Sequence, residues 1–575
     1  MMIVKKWNLS YLCESKEKWQ ELGTKLAQKI EDLKNYVSKM ETVNDMKDFI
    51  ETKIEMDQLI EQIYCYPKRL LDLNSQDEEA KAMFHKALSY YEETEKANVL
   101  FKKIILENSE LVNEFLLKFP YFKRYIELIY RMSEHQVQNE EAYVVLQKQL
   151  EVLQDIYRSL IRGDMVFKNQ ETGEIVTETM LSSLSHSKNV EDRKRAFEIT
   201  MDAYKSISNT LATIYQNKIL TEERIANQKG FMTHLEARLY EDALPDSIVS
   251  SLITTVRDHL EIEHQFMQYK KDTLGLQEFH LYDMSETAFS NDIKKFSLEE
   301  ALEILKESFG ILGEEYIKWL EEGFFNGWID LEPSKTKRKD SFSCITYSGV
   351  PYTMLQYHGD MNSLRVLAHE TGHMVHTSLA KENKFEYFEY SLFLAEIASK
   401  VHEILLYHYL IGKSESKEET YYLVEQMLSS FCTSLFSQTM LTEFEQEVHK
   451  KLQNQKSIQT RDLQSLYCSL ATIYYGEAFE CDDLVGMSFG KIPHFYLYPS
   501  YYVWQYGVGI SIAHKIAADL IDDKNNMRKN YLEFLKAGNR LNVIDSLKLV
   551  GIDLENGNYI KEACDFMKEK MKVLK

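Results

Sequence analysis

Apolar residues recur three and four apart, with charges between them, over most of residues 19–325. The segments SKEKWQELGTKLAQKIEDLKNYVSKM and EEAYVVLQKQLEVLQDIYRSLIRG are typical, and each predicts an amphipathic helix. Short punctuation separates such segments: YPKRLLDLNSQD, KFPYF, KNQETGE and LPDS. At the last of these, Pro245, Asp246 and Ser247 are expected to supply capping oxygens for a helix over IVSSLITTV. None of these breaks is a long linker. The sequence has no low-complexity tract and no fixed-period repeat that would mark a solenoid.

The pattern changes once. Residues 341–359, SFSCITYSGVPYTMLQYHG, are rich in β-branched and aromatic side chains around a Gly-Val-Pro turn, which predicts a pair of short strands. Asp360, Met361, Asn362 and Ser363 follow and can cap a helix over LRVLAHETGHMVHTSLAKE. Helical periodicity then resumes up to a Gly- and Tyr-rich loop at about residues 485–509.

Composition narrows the picture. The 575 residues include 21 Gly and 7 Pro, roughly half and a quarter of average usage, so long uninterrupted helices are expected. A formal charge of -22 argues against a nucleic-acid-binding surface and against a polybasic membrane patch. Cys13, Cys65, Cys344, Cys432, Cys468, Cys481 and Cys564 are scattered without a CxxC pair, the distribution of reduced core thiols. The N-terminal MMIVKKWNLSYLCESKEKW has no signal-peptide apolar core, and nowhere do 18 apolar residues run together. A cytoplasmic protein with no membrane or nucleic-acid partner is expected. Nothing in the sequence fixes its oligomeric state.

Candidate chemistry sits in HETGH. His369 and His373 are four apart, so on a helix they project from one face and can share a zinc ion at about 2.0–2.1 Å. Glu370 is offset round the helix, placed to reach a water rather than the metal. HExxH alone arises by chance in roughly one chain in twenty of this composition, so a third ligand decides. One zinc-peptidase spacing requires Gly three residues after the second His, where His376 stands; another requires Glu nineteen residues after it, where Leu392 stands. Of the downstream acids, Glu382, Glu386 and Glu389 lie in the charged connection KENKFEYFEY. Glu396 lies in the apolar helix FLAEIASKVHEILLYHYL and is the expected third ligand. His376 shares the face of the two histidines, but a third turn of one helix converges poorly on one ion, so a supporting or buried role is expected. Glu403, one heptad beyond Glu396, is either a support for the ligands or a structural ion-pair partner, with the structural role favoured.

HETGH with AEIAS starting 22 residues after it resembles the thimet-oligopeptidase and oligoendopeptidase F family of zinc metallopeptidases, especially the oligoendopeptidase F branch. The loop KIPHFYLYPSYYVWQYGVG, the stretch NQKGFMTHLEARLYEDALPDSIVSSLITTV with LGLQEFHLYDM, the entry GVPYTMLQYHGDMNSLRVLAHE and the start WNLSYL are similar to that family too, so the likeness spans nearly the whole chain. It implies a mostly α, ellipsoidal body with a deep internal substrate channel and a small sheet beside the HExxH helix. It also implies an N-terminal helical lobe over residues 1–195 and a catalytic domain over 196–575. It implies one zinc ion on His369, His373 and Glu396, with Glu370 as general base, and it places His494 and loop tyrosines against the substrate. Tyr501 and Tyr502 lead as the oxyanion donor, with Tyr506 behind them. The chain departs from the family at Asp340 and Ser341, at Trp504, and at Lys400 and His402; none of these is a ligand or the base.

The expected activity is hydrolysis of internal bonds in short unfolded oligopeptides, with zinc-bound water activated by Glu370 as nucleophile. Two rivals stand beside it: an exopeptidase on the same scaffold, which needs a placed cation to capture a terminal carboxylate, and a catalytically silent peptide-binding protein. The intact HETGH and Glu396 oppose the second.

Overall fold

The computed structural model describes residues 2–36, 39–289, 295–455, 457–524 and 526–574. These are overwhelmingly helical, as the scarcity of Gly and Pro predicts. The first predicted segment forms helix Lys16–Tyr36, and its continuation at 37–38 lies outside the described residues. The other forms helix Glu140–Ser159, capped by Asn139. Helix Ile248–Arg257 begins where LPDS predicts, but not by side-chain capping. Ser247 is already in a helical conformation and makes no cap bond; the Pro245 carbonyl accepts from the Ile248 N–H instead.

Two compact units form, each from three separate pieces of chain. The first comprises Met1–Glu134, Ile293–Leu410 and Asp519–Gly551. The second comprises His135–Asp292, Ile411–Ala518 and Ile552–Lys575. The position 195/196, taken from sequence as a boundary, lies within helix Val190–Ser206.

In the first unit, helices Lys16–Tyr36, Val43–Leu73 and Glu78–Glu107 pack through Trp19, Phe49, Ile63 and Phe101. The same unit holds a three-stranded sheet of β1 (Ile329–Asp330), β2 (Phe342–Ser343) and β3 (Thr353–Met354), ordered β1-β3-β2. Strands β2 and β3 are the antiparallel pair read from sequence, with Phe342 opposite Met354. Strand β1 pairs parallel to β3 and carries no periodic signal. The sheet packs on helix Met361–Ala380, which carries HETGH and is buried on nearly every face.

The second unit is built on helices Ser208–Gln228, Gln438–Gln455, Thr460–Tyr475 and Trp504–Ile521. Residues 485–509 are not one loop. They form a 3₁₀ run Val485–Lys491, a short helix His494–Leu497 and the first turns of helix Trp504–Ile521. The glycines serve packing here: a Cβ on Gly490 would lie 2.8 Å from Leu211 Cδ1. All seven cysteines are free thiols, and Cys13, Cys432 and Cys564 are buried. Among the described residues, no helix is long and apolar enough to cross a membrane.

Candidate metal centre

Helix Met361–Ala380 starts on a reciprocal cap: Asp360 Oδ1 accepts from the Ser363 N–H at 2.8 Å, and Ser363 Oγ accepts from the Asp360 N–H at 3.1 Å. That start sets the phase of the helix, and His369 and His373 emerge one turn apart with ring centroids 4.9 Å from each other. The neighbouring helix, Leu392–Lys413, crosses at Gly372. A Cβ there would lie 2.8 Å from Ser399 Cα and 3.2 Å from the Ala398 carbonyl, so any larger residue would push the two helices apart. The Gly of HETGH is therefore a packing requirement for bringing Glu396 to the histidines.

The crossing places Glu396 Oε2 3.6 Å from His369 Nε2, and Oε1 3.7 Å from His373 Nε2. One donor atom from each of the three residues lies within 4.8 Å of the others. Ligand atoms round a tetrahedral zinc at about 2.0–2.1 Å sit about 3.3 Å apart, so the three donors would draw closer together round an ion. The nitrogen and carboxylate donors are those zinc prefers. The side chains of His369, His373 and Glu396 retain 19%, 12% and 34% exposure, which leaves an open side. A metal site of catalytic type needs such a free position.

Behind the cluster lies Glu403, 3% exposed. It accepts hydrogen bonds from His369 Nδ1 at 2.6 Å, Arg365 Nη1 at 2.9 Å and Lys400 Nζ at 2.8 Å. Burial alone would raise the Glu403 pKa, but Lys400, His369 and Arg365 outweigh it and hold the carboxyl well below its ordinary value. An ionised carboxylate only accepts, so Nδ1 of His369 carries the proton and Nε2 is turned toward Glu396. The structural ion-pair role favoured from sequence is thus half of the account: the same carboxylate orients a histidine of the cluster. Lys400, a departure from the family, is one of its partners. His402, another, is fully buried between the Tyr316 hydroxyl at 2.6 Å and the Ala368 carbonyl at 3.0 Å, and so ties the two helices to their neighbours.

Glu370 is 6% exposed, and its pKa is pushed up to about 7. Burial is the main cause; the neighbouring His369 opposes it, and the Glu396 and Glu403 charges add to it. His373 is driven well below its ordinary value by burial, with His369 adding to the effect, so it stays neutral and able to ligate. His376 stands apart from the cluster. Its ring stacks on Tyr390 at 3.7 Å, its Nδ1 has no hydrogen-bond partner among the described residues, and burial lowers its pKa to about 3; it is a core residue.

His494, Tyr501 and Tyr502 belong to the second unit. His494 sits in a cluster of rings with Tyr498, Tyr502 and Tyr506 at centroid distances of 4.8, 5.7 and 5.9 Å. Burial lowers its pKa, which keeps it neutral. Tyr501 points elsewhere: its ring is buried and packs 4.7 Å from His449. Tyr496 and Trp504 are likewise core residues, at 0% and 3% exposure. Sequence reasoning missed Arg365, and noted Lys400 without its role. Their signal was spacing alone, one turn before His369 and three residues before Glu403.

Three metal-competent donors beside a buried carboxyl, on a helical scaffold, are the arrangement expected of a metallopeptidase. The chain belongs to peptidase family M3, whose model matches residues 183–566. It is an enzyme of the metalloendopeptidase class. It is 28% identical over 577 residues to "Oligopeptidase PepF" of Bacillus subtilis, covering 98% of this chain and 86% of that protein. A putative peptidase from Chlamydophila abortus has the same fold, with a TM-score of 0.87, 24% identity and coverage of 99% and 98% of the two chains. The oligoendopeptidase-F of Enterococcus faecium is also alike in fold, with a TM-score of 0.72 and 24% identity over 97% of this chain and 98% of that one.

Proposed function

We propose that this chain hydrolyses internal peptide bonds of short, unfolded oligopeptides, with one zinc ion held by His369, His373 and Glu396. The observation that carries this reading is the convergence of those three donors beside a buried Glu370, with Glu403 fixing the His369 ring. Relatives named oligopeptidase and oligoendopeptidase F support the substrate class. The net charge of -22 and the free thiols suit a cytoplasmic enzyme without a nucleic-acid partner.

When bound, zinc would act as a Lewis acid toward the scissile carbonyl and lower the pKa of water toward about 7. Glu370 is the general base. Its carboxylate takes a proton from the attacking water and passes it to the leaving amine. Glu403 holds the proton on His369 Nδ1 and so keeps Nε2 aimed at the cluster. By resemblance to the family, His494 and Tyr502, with Tyr506 beside them, are the donors for the oxygen that gains negative charge. Buried Tyr501 supports their segment.

Digestion of a mixed-length peptide library, followed by mass analysis of the products, tests the reading. Internal cuts in short peptides, abolished by a chelator and restored by zinc, are expected. Cutting that survives chelation, or release of terminal residues alone, would overturn it.

A further inference from the structure

Beneath the ring cluster of the second unit lies a buried polar network that the proposed chemistry does not use. Glu222, on helix Ser208–Gln228, accepts from the Ser500 N–H at 3.2 Å and from the Ser500 hydroxyl at 2.5 Å. Lys218, one turn earlier on that helix, donates to Glu222 at 2.9 Å and to Ser500 Oγ at 3.1 Å, closing a triangle. Glu445, on helix Gln438–Gln455, accepts from the Tyr501 N–H at 2.8 Å. Lys218, Glu222, Glu445 and Ser500 are each 2% exposed or less.

These bonds converge on a strained point. Tyr501 has φ +59°, and among the described residues it is the one aromatic side chain with a left-handed backbone. That conformation costs a non-glycine residue about 1–2 kcal/mol and persists only where its surroundings impose it. Two consecutive backbone N–H groups are held here by two carboxylates from two helices. The kink sends the Tyr501 ring inward to His449, whose Nδ1 is fixed by Glu223 at 2.9 Å. It returns the next side chain, Tyr502, to Tyr498 and His494, at 5.0 and 5.7 Å.

We infer that Glu445 and the Lys218–Glu222–Ser500 triangle are positioning elements for peptide hydrolysis, acting through the Tyr501 kink to hold Tyr502 in the His494 cluster. The inference rests on the reading that this segment serves the substrate. Leaving the Tyr501 N–H buried without its acceptor would release the kink, whereas Gln at 445 still presents an oxygen to it.

A double-mutant cycle on kcat, with zinc content and thermal midpoint measured for every variant, tests this. Glu445→Ala is expected to lower kcat at least about tenfold, with KM changed less than about threefold and zinc content unchanged. Glu445→Gln is expected to recover kcat to within about threefold of the parent. In a Tyr502→Phe background, Glu445→Ala should cost less than about threefold further, because the group it positions is already gone. The same further loss in both backgrounds would overturn the inference, as would parental kcat in Glu445→Ala. Should Glu445→Ala not fold, Ser500→Ala takes its place. It keeps the Lys218–Glu222 pair, and a loss of about threefold to fivefold that vanishes beside Tyr502→Phe is expected. Parental kcat in Tyr502→Phe alone would instead overturn the underlying reading of the segment, and the inference with it.

Discussion

The donor cluster on the HETGH helix and the ring cluster around His494 are assembled by opposite means. The first is local: two histidines share one face of one helix, the third donor comes from the next long helix, and a glycine lets the two cross. The second is held from far along the chain, by Lys218 and Glu222 at separations of 282 and 278 positions and by Glu445 at 56. A site built by helical spacing depends on the two helices that carry it. A site built by a strained loop depends on whatever holds the loop.

The sharpest break of the first region is Glu396→Ala. It leaves two histidines for the metal, and bound zinc and cleavage should both fall below detection in metal analysis and a peptide assay. Retained stoichiometric zinc would move the third ligand elsewhere. For the second region, Tyr502→Phe should lower kcat by about a hundredfold while zinc stays bound, the size of loss seen when one oxyanion donor is removed. Loss of zinc in that variant would erase the contrast between the regions. Glu403→Gln probes the support of the first region. Without a full negative charge opposite His369 Nδ1, zinc affinity measured by chelator competition should weaken about 10–100-fold.

The remaining expected effect concerns stability rather than activity, in the second unit. Glu263 is 1% exposed, and burial pushes its pKa from an ordinary 4.5 up to about 7. Between those values the folded chain holds a proton that the unfolded chain has released, so this group's contribution to stability is lost as pH rises through that window. By pH 8 the loss is about 3 kcal/mol. The thermal midpoint of Glu263→Gln should therefore gain on the parent between about pH 5 and pH 8; a constant gap would contradict this.

The same contrast explains what the sequence made legible. Helices, the β2–β3 pair, the Asp360 cap and the convergence of His369, His373 and Glu396 all follow from spacings of two, three or four, or from one adjacent element. Strand β1 is no shorter than β2 or β3 but has no turn beside it to mark a pair, since its partner β3 lies more than twenty residues on. The two roles weighed for Glu403, support for the ligands and ion pairing, could not be told apart from sequence, because its three partners lie on both helices. The glycines at 486–509 read as a loop, yet most of them sit in helical turns pressed against Leu211, Gln464 or Thr439. The kink at Tyr501 had no local signal at all, since its cause is carboxylates from two other helices. The pairing of distant segments into two units was illegible for the same reason.

The central claim is that a three-donor zinc site works with Glu370 as its proton carrier. Zinc-loaded Glu370→Gln, assayed for metal content and for turnover of an oligopeptide on one preparation, tests it most directly. One zinc per chain with turnover reduced at least about a thousandfold is the predicted result. Turnover near that of the parent at full zinc occupancy would contradict it.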